Sequence, residues 1–124
     1  MIVKVLIKRH VKIDCERDFF ELLKQIRANA IKQEGYISGE TLVSTDDPQE
    51  FIVISTWQSL EDWITWRDSK KRREIDSKIK AYQIKPTTYE SYVFRKYRIS
   101  VQKGFPKAEG RFAILGLAMD RALL

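Results

Sequence analysis

The stretch FIVISTWQSLEDWITWRDS, residues 51–69, combines a strand pattern with a helix pattern and contains all three tryptophans of the chain. Its first seven residues, 51–57, are largely apolar at both alternating sets of positions, which is typical of a strand covered on both sides. Ser59 follows as a predicted helix N-cap, with acidic residues in the first turn, where negative charge is favourable. We therefore predict a buried strand that leads into a helix carrying Trp63 and Trp66.

The residues before this stretch predict a strand, a helix and a second strand. Residues 2–13, IVKVLIKRHVKI, alternate between apolar and polar side chains, which indicates a strand with one apolar face. Asp14 is the predicted N-cap of a helix whose apolar residues recur until about Gln33, and Gly35 is its predicted C-terminal glycine. A second strand is predicted at residues 36–45.

The residues after it complete the fold. The helix that starts after Ser59 continues at helical spacing until Pro86 stops it, and a fourth strand is predicted at residues 87–94. The order is β-α-β-β-α-β, the ferredoxin-like arrangement of the α+β class, with a four-stranded antiparallel sheet. Two helical segments cover one face of that sheet.

The domain spans residues 1–94, and residues 95–124 form an extension that is first basic and then apolar. Three interpretations of the extension stay open: a segment that docks on a partner subunit, a loosely ordered tail, or a non-native addition.

Composition favours some classes of protein over others. The chain has 124 residues, 44% hydrophobic and 32% charged, which fits one folded domain. Its single cysteine, Cys15, excludes an intrachain disulfide and agrees with a reducing compartment, so we expect a cytoplasmic protein. No apolar run reaches membrane-spanning length and no metal-ligand or nucleotide motif is evident, so we expect no membrane association, metal or cofactor.

The formal net charge of +6 raises the question of a nucleic-acid partner. RNA-recognition domains share this element order, but aromatic residues of their third strand stack on bases. The third strand here reads EFIVISTW and lacks that glycine-aromatic signature. The basic run KKRR, residues 70–73, lies on a predicted helix and is typical of a solvated face, so we expect no nucleic-acid binding.

The second face of the predicted sheet has no helix to cover it. The apolar side chains expected there are Leu6, Ile52 or its neighbours, Tyr89 or Tyr92, and Val93 or Phe94. An exposed apolar patch of this kind is typical of an interface, and the simplest closure is a homodimer that packs sheet against sheet.

Arg9 interrupts the apolar face of the first strand. A guanidinium in such a place is costly unless it is paired. Two interpretations stay open: a Glu or Asp from a helix neutralises it, or it holds a phenolate, enolate or carboxylate by charge-assisted hydrogen bonds.

Three segments of the chain form a recognisable pattern: GYISGETL from Gly35, DDP from Asp46, and FIVISTWQSLEDWITWRDS from Phe51, which contains W-x-S-x-E-D-W-x-x-W. Together they resemble the antibiotic biosynthesis monooxygenase domain family. The resemblance covers about residues 1–94 and implies a dimeric α+β barrel, with the pocket of each subunit between its sheet and its helices. The family includes cofactor-free oxygenases of polycyclic phenols, haem-degrading enzymes and members with no assigned activity.

The resemblance also implies a site. Arg9 would point inward from the first strand and Trp66 would face it from the second helix, as the two candidate catalytic residues. The candidate substrate-binding residues supply ring walls and hydroxyl groups: Phe20, Tyr36, Trp63 and Tyr82. Aromatic residues near a small core are also typical of packing alone, and that alternative stays open. No residue is an evident general base.

The implied function is a cofactor-independent monooxygenase acting on a small aromatic, phenolic or enolic substrate; the alternative is a non-catalytic dimer that binds a small ligand. In the haem-degrading relatives an asparagine, a tryptophan and a histidine ligand take positions that match Arg9, Trp66 and about Asp76 here. Only the tryptophan remains, and the one histidine, His10, is expected on the other sheet face. Haem cleavage by that mechanism is therefore not expected.

Overall fold

The structure, a computed structural model, describes residues 1–95. The four strands are β1 Val3–His10, β2 Tyr36–Val43, β3 Glu50–Trp57 and β4 Thr88–Val93. The helices are α1 Glu16–Ala30, α2 Leu60–Arg67 and α3 Lys70–Ile79, and a 3-10 turn, Lys80–Tyr82, follows α3. Residues Met1–Phe94 form one compact unit. The predicted extension, 95–124, lies outside the described residues except for Arg95.

The strands form one antiparallel sheet in the order β2-β3-β1-β4, which confirms the ferredoxin-like α+β prediction. Alternate residues of β1, from Val3 to Arg9, are buried against the helices, as the period of two predicts. The core between sheet and helices takes in Phe19 and Leu23 of α1 and Ile75 of α3.

The first helix is shorter than predicted at both ends. It begins at Glu16 after Cys15, and Asp14 is not the N-cap but adopts a left-handed conformation with φ of 67°. A short polar side chain tolerates that conformation, whereas an N-cap needs an extended one. The helix ends at Ala30. Gly35 lies beyond a turn, immediately before β2, and has a φ of 86°. Asp62 of α2 lies directly against Gly35, which leaves no room for a side chain there.

The prediction of one long second helix is wrong, because the segment is divided into α2 and α3. Ser69 breaks it with an extended backbone, φ −67° and ψ 152°, and its side chain accepts a hydrogen bond from Arg72 N at 3.2 Å. A serine offers the backbone this alternative partner and so favours a new helix start. Ser59 caps α2 as predicted, accepting from Asp62 N at 3.1 Å, and α3 ends at Ile79, before Pro86.

The strand register assigns side chains to the second sheet face. Leu6, Ile52 and Tyr92 share that face, whereas Tyr89 and Val93 point to the helix side. Charged residues of both signs alternate with them: Lys4, Lys8, Glu40, Glu50 and Glu90. No helix within residues 1–95 has the length and apolar character that a membrane span requires.

Candidate functional site

A cavity of about 200 Å³ lies between the sheet and the helices. Voids in a packed core rarely exceed the size of a water molecule, so a space of this volume is a pocket rather than a packing defect. The sheet contributes Ile7, Arg9, Tyr36, Gly39, Thr41, Val53, Ser55 and Trp57, and the helices contribute Phe20, Leu23, Lys24, Ile26, Arg27, Ala30, Trp63, Trp66 and Arg72.

All three tryptophans line this cavity and are at least 96% buried. Trp57 lies against Trp63, with ring centroids 6.0 Å apart, and Tyr36 meets Trp57 edge-on at 5.3 Å. The indole N–H of Trp57 donates to Ser55 Oγ at 3.1 Å, which satisfies its need for a buried partner. The tryptophan-rich stretch therefore serves both the core and the wall of a pocket.

The structure brings most of the predicted site residues together. Those that line the cavity are Arg9, Phe20, Tyr36, Trp63 and Trp66. Tyr82 is not among the lining residues. It lies in the 3-10 turn after α3, where its carbonyl oxygen accepts from Lys12 N at 2.8 Å. The prediction for Tyr82 assumed a helix that continues to Pro86, and the early end of α3 moves the residue out of that register.

Arg9 is paired within the protein. Its Nη1 donates to Asp76 Oδ1 at 2.9 Å, to Gln83 Oε1 at 2.9 Å and to Thr87 Oγ1 at 3.3 Å. Its side chain is only 2% exposed. Of the two interpretations of this arginine, the structure therefore supports neutralisation by an acid from a helix.

Arg72 is the residue that sequence reasoning missed. It comes from the KKRR run, whose other three members, Lys70, Lys71 and Arg73, are exposed as expected, but Arg72 is only 3% exposed and lines the cavity. Its guanidinium carbon lies 5.3 Å from the ring centroid of Trp63 and 5.6 Å from that of Tyr89. The sequence offered no signal that separates Arg72 from its exposed neighbours, because the helix start after Ser69 was itself not predicted.

The junction between α2 and α3 positions Trp66 and Arg72 relative to each other. Arg67 donates two hydrogen bonds to Asp68, at 2.8 and 3.1 Å, and these bonds lower the pKa of the Asp68 carboxyl below its ordinary value. Arg73 Nε donates to the Asp68 carbonyl at 3.1 Å. Hydrogen bonds from Arg67 of α2 and from Arg73 of α3 therefore both hold the turn between the two helices.

Tyr36 reaches the cavity because the facing position is a glycine. Its hydroxyl lies over Gly39, where a Cβ atom would come within 2.7 Å of the phenolic oxygen. Arg27 extends to the same place, with Nη2 3.2 Å from that hypothetical Cβ, and is exposed to solvent like Lys24. These two cations form the rim of the cavity.

The lining of the cavity carries charge of one sign. Its ionisable side chains are Arg9, Lys24, Arg27, Tyr36 and Arg72, and none of the described lining residues is a carboxylate or a histidine. Cations close to an apolar, largely dry surface attract anions strongly, because little water screens them.

A second group of polar side chains lies away from the cavity, at the end of β1 and the turn before β3. Side-chain ligand atoms of His10, Asp47 and Glu50 all lie within 4.8 Å of one another. His10 Nε2 is 3.4 Å from Glu50, and Lys8 Nζ is 3.5 Å from the other oxygen of the same carboxylate. Lys8 already supplies a positive charge beside Glu50, and this group was not singled out from the sequence.

Fold and site together define a class: a ferredoxin-like α+β domain with an aromatic, cationic pocket between its sheet and its helices. A sequence model of the antibiotic biosynthesis monooxygenase family matches residues 2–77. The chain belongs to that family. Among curated proteins, none matches the chain.

Solved structures share the fold at low sequence identity. SnoaB, a cofactor-independent oxygenase from Streptomyces nogalater, is 12% identical with a TM-score of 0.68, over 77% of this chain and 95% of its own. A conserved protein from Methanosarcina mazei Go1 is 21% identical with a TM-score of 0.70, over 74% and 91%. Rv0793 from Mycobacterium tuberculosis is 14% identical with a TM-score of 0.69, over 78% and 98%.

Proposed function

We propose that this protein is a cofactor-independent monooxygenase that oxidises a small aromatic substrate with an ionisable phenol or enol. The observation that supports this most directly is the cavity itself, which is walled by three tryptophans and carries cations without a carboxylate among its described lining residues. Membership of the family and the fold shared with SnoaB agree with that class of reaction.

The chemistry requires little from the protein beyond the environment. The substrate loses a proton to solvent to give an electron-rich anion, which transfers an electron to O₂. The two radicals combine into a carbon-bound peroxide anion, which takes a proton back from solvent to become a hydroperoxide and then loses water to leave a ketone. For an activated methylene the balance is R₂CH₂ + O₂ → R₂C=O + H₂O. The substrate itself supplies the two electrons that reduce the second oxygen atom to water.

The residues of the cavity account for the first of these steps without a dedicated base. A nearby positive charge stabilises the ionised form of an acid and lowers its pKa, so a phenol or enol held among these cations ionises more readily than in water. The indole rings of Trp57, Trp63 and Trp66 exclude water and orient the substrate ring. Tyr36 supplies a hydroxyl group at the cavity wall.

A non-catalytic protein that binds a small aromatic ligand is the second candidate. The observation that favours it is the lack of a carboxylate or histidine in the described cavity lining, since these side chains are the usual general bases. Both candidates bind an aromatic ligand in the same cavity, and only the monooxygenase consumes O₂.

We also propose a homodimer that packs through the uncovered sheet face. Leu6, Ile52 and Tyr92 supply apolar contacts there. The charges between them are of both signs, so a second copy of the same face, rotated by two-fold symmetry, can pair its lysines with the glutamates of the first. Burial of such a face contributes roughly 25 cal/mol per Å² of apolar area before the costs of association.

A reducing, cytoplasmic location completes the proposal. It is supported by the single cysteine of the chain, Cys15, which has no intrachain partner for a disulfide. Labelling of Cys15 with a thiol reagent after rapid lysis would test it, since a reduced thiol is expected.

Oxygen uptake tests the proposed function. The purified protein is mixed with 1,8-dihydroxyanthrone, which has two phenol groups beside its carbonyl and an acidic methylene opposite that carbonyl, and O₂ consumption is followed with an electrode. We expect uptake of one O₂ per ketone formed, above the spontaneous rate and without added metal, flavin or haem. Binding of the anthrone without accelerated uptake would contradict catalysis and support the ligand-binding candidate.

A further inference from the structure

Arg72 is a buried cation whose hydrogen-bonding capacity is almost unused. A guanidinium has five N–H donors. The two terminal nitrogens of Arg72 share one acceptor, the hydroxyl of Tyr89, at 3.4 Å each, and its Nε has no partner among residues 1–95. No Asp or Glu side chain of the described chain lies within 4.0 Å of it.

The two neighbouring acids are already engaged. Asp76, one turn further along α3, binds Arg9 at 2.9 Å. Asp68, at the end of α2, is fully paired with Arg67. The aromatic rings of Trp63 and Tyr89 hold the Arg72 guanidinium by cation–π contact, which fixes its position but supplies no carboxylate or carbonyl acceptor.

A second observation also indicates that this end of the cavity favours an anion. Arg72 is the third residue of α3, whose N-terminal turn reads KKRR and contains no acidic residue. The positive end of the helix dipole and four like charges concentrate there, which opposes the stability of the helix. This arrangement stabilises an anion placed at that end of the cavity.

We infer that Arg72, and not Arg9, is the residue that binds the ionised oxygen of the ligand, and that the ligand is a planar aromatic carboxylate, phenolate or enolate. The ring lies against Trp63 and the neighbouring tryptophans, and the oxygen accepts hydrogen bonds from the free donors of Arg72. The Nε of Arg9 also has no partner among residues 1–95, but the charge of Arg9 is already neutralised by Asp76, and its Nη1 donates to Asp76, Gln83 and Thr87. This inference names the substrate class of the proposed oxygenase and rests on that proposal for its catalytic meaning.

The test compares 1-naphthoate with 1-naphthamide, which has a similar shape but no charge, by isothermal titration calorimetry on the full chain. Four proteins are compared: wild type, Arg72→Gln, Arg72→Lys and the control Lys71→Gln. Lys71 is the neighbouring exposed residue, so its substitution removes one positive charge without altering the cavity.

We expect wild type and Lys71→Gln to bind naphthoate roughly tenfold or more tighter than naphthamide, as a hydrogen bond to a charged group implies. Arg72→Gln is expected to lose this preference and Arg72→Lys to retain part of it. Equal affinity of wild type for the two ligands would overturn the inference, and this arm does not depend on any variant folding. An undiminished preference in Arg72→Gln would overturn it as well.

Oxygen uptake with 1,8-dihydroxyanthrone separates this inference from the proposed function. A preference for naphthoate that depends on Arg72, in a protein that does not accelerate uptake, supports the anion site and contradicts the oxygenase. Accelerated uptake with the same KM in Arg72→Gln and wild type supports the oxygenase and overturns the role of Arg72.

Discussion

Arg9 and Asp76, which are 67 residues apart in the chain, form a buried ion pair with a 2.9 Å hydrogen bond. The pair connects β1 to α3 beneath the wall of the cavity, and Gln83 and Thr87 add further acceptors. Because this pair neutralises Arg9, the buried cation of the cavity lining that has no acid partner among residues 1–95 is Arg72, four residues before Asp76 on the same helix. The two buried arginines therefore have opposite roles, and substitution should separate them.

Replacing Arg9 should destabilise the protein. Arg9→Met leaves Asp76 buried beside an apolar side chain, and loss of one partner of a buried pair costs about 3 to 5 kcal/mol. Urea denaturation followed by circular dichroism measures the change. The double variant Arg9→Met, Asp76→Leu removes both charges and should recover part of the loss. An Arg9→Met protein as stable as wild type would show that the pair has no structural importance.

Replacing Arg72 should have a different effect on stability. Arg72→Met removes a buried cation that has no acid partner within residues 1–95. The variant no longer bears the cost of desolvating that charge, but it also loses the two favourable cation–π contacts. We expect the free energy of unfolding to stay within about 1 kcal/mol of wild type or to rise, because conversion of a binding site to an apolar one commonly stabilises. A loss as large as that of Arg9→Met would instead identify Arg72 as a structural residue.

The cap of α3 should contribute to both stability and binding. Ser69 accepts from the backbone N–H of Arg72, so Ser69→Ala removes a cap worth about 1 kcal/mol and loosens the turn that carries the guanidinium. Thermal unfolding and naphthoate titration check the two effects. Ser77→Ala, an exposed site on the same helix, is the control and should change neither by much. Equal behaviour of the two variants would contradict the importance of the cap.

The junction between the helices should respond to acid. Hydrogen bonds from Arg67 lower the pKa of Asp68 in the folded protein. The contribution of Asp68 to stability is therefore fully present above its pKa in the unfolded chain, 3.8. This contribution is lost as the pH falls through the lower pKa of the folded protein. The stability difference between wild type and Asp68→Asn should therefore be constant above about pH 5 and shrink as the pH falls below it. Salt should weaken the difference, since Asp68 is exposed. A difference that does not change with pH would contradict this.

The uncovered sheet face should support dimerisation. Ile54 lies on that face between Leu6 and Glu40, and Ile54→Lys places a buried charge in the proposed interface. Light scattering at micromolar concentration should show a wild-type dimer and a folded Ile54→Lys monomer. Leu60→Lys, on exposed surface of α2, should remain a dimer. A monomeric wild type would contradict the dimer.

The sheet could be predicted because its signal is local. Successive side chains of a strand point to opposite faces of the sheet. The alternation in β1 and the apolar character of β3 can therefore be read from a few consecutive residues. The division of the second helix was missed because Ser69 is followed by basic residues, without the acidic first turn that indicates a helix start at Ser59.

The site could be predicted only in part. Trp63 and Trp66 were identified by a motif, and Arg9 by its unusual position on an apolar strand face. Which acid neutralises Arg9 depends on the packing of α3 against β1, and no local pattern contains that information. Likewise, nothing within KKRR distinguishes the one buried arginine from its exposed neighbours, because burial is decided by Trp63 and Tyr89 on other elements.

A crystal structure of the protein with bound 1-naphthoate would show which arginine binds the carboxylate. We expect the naphthalene ring among Trp57, Trp63 and Trp66, with the carboxylate about 3 Å from nitrogen atoms of Arg72. The Arg9–Asp76 pair should remain intact. A naphthoate bound outside the cavity, or with its carboxylate on Arg9 in place of Asp76, would contradict this expectation.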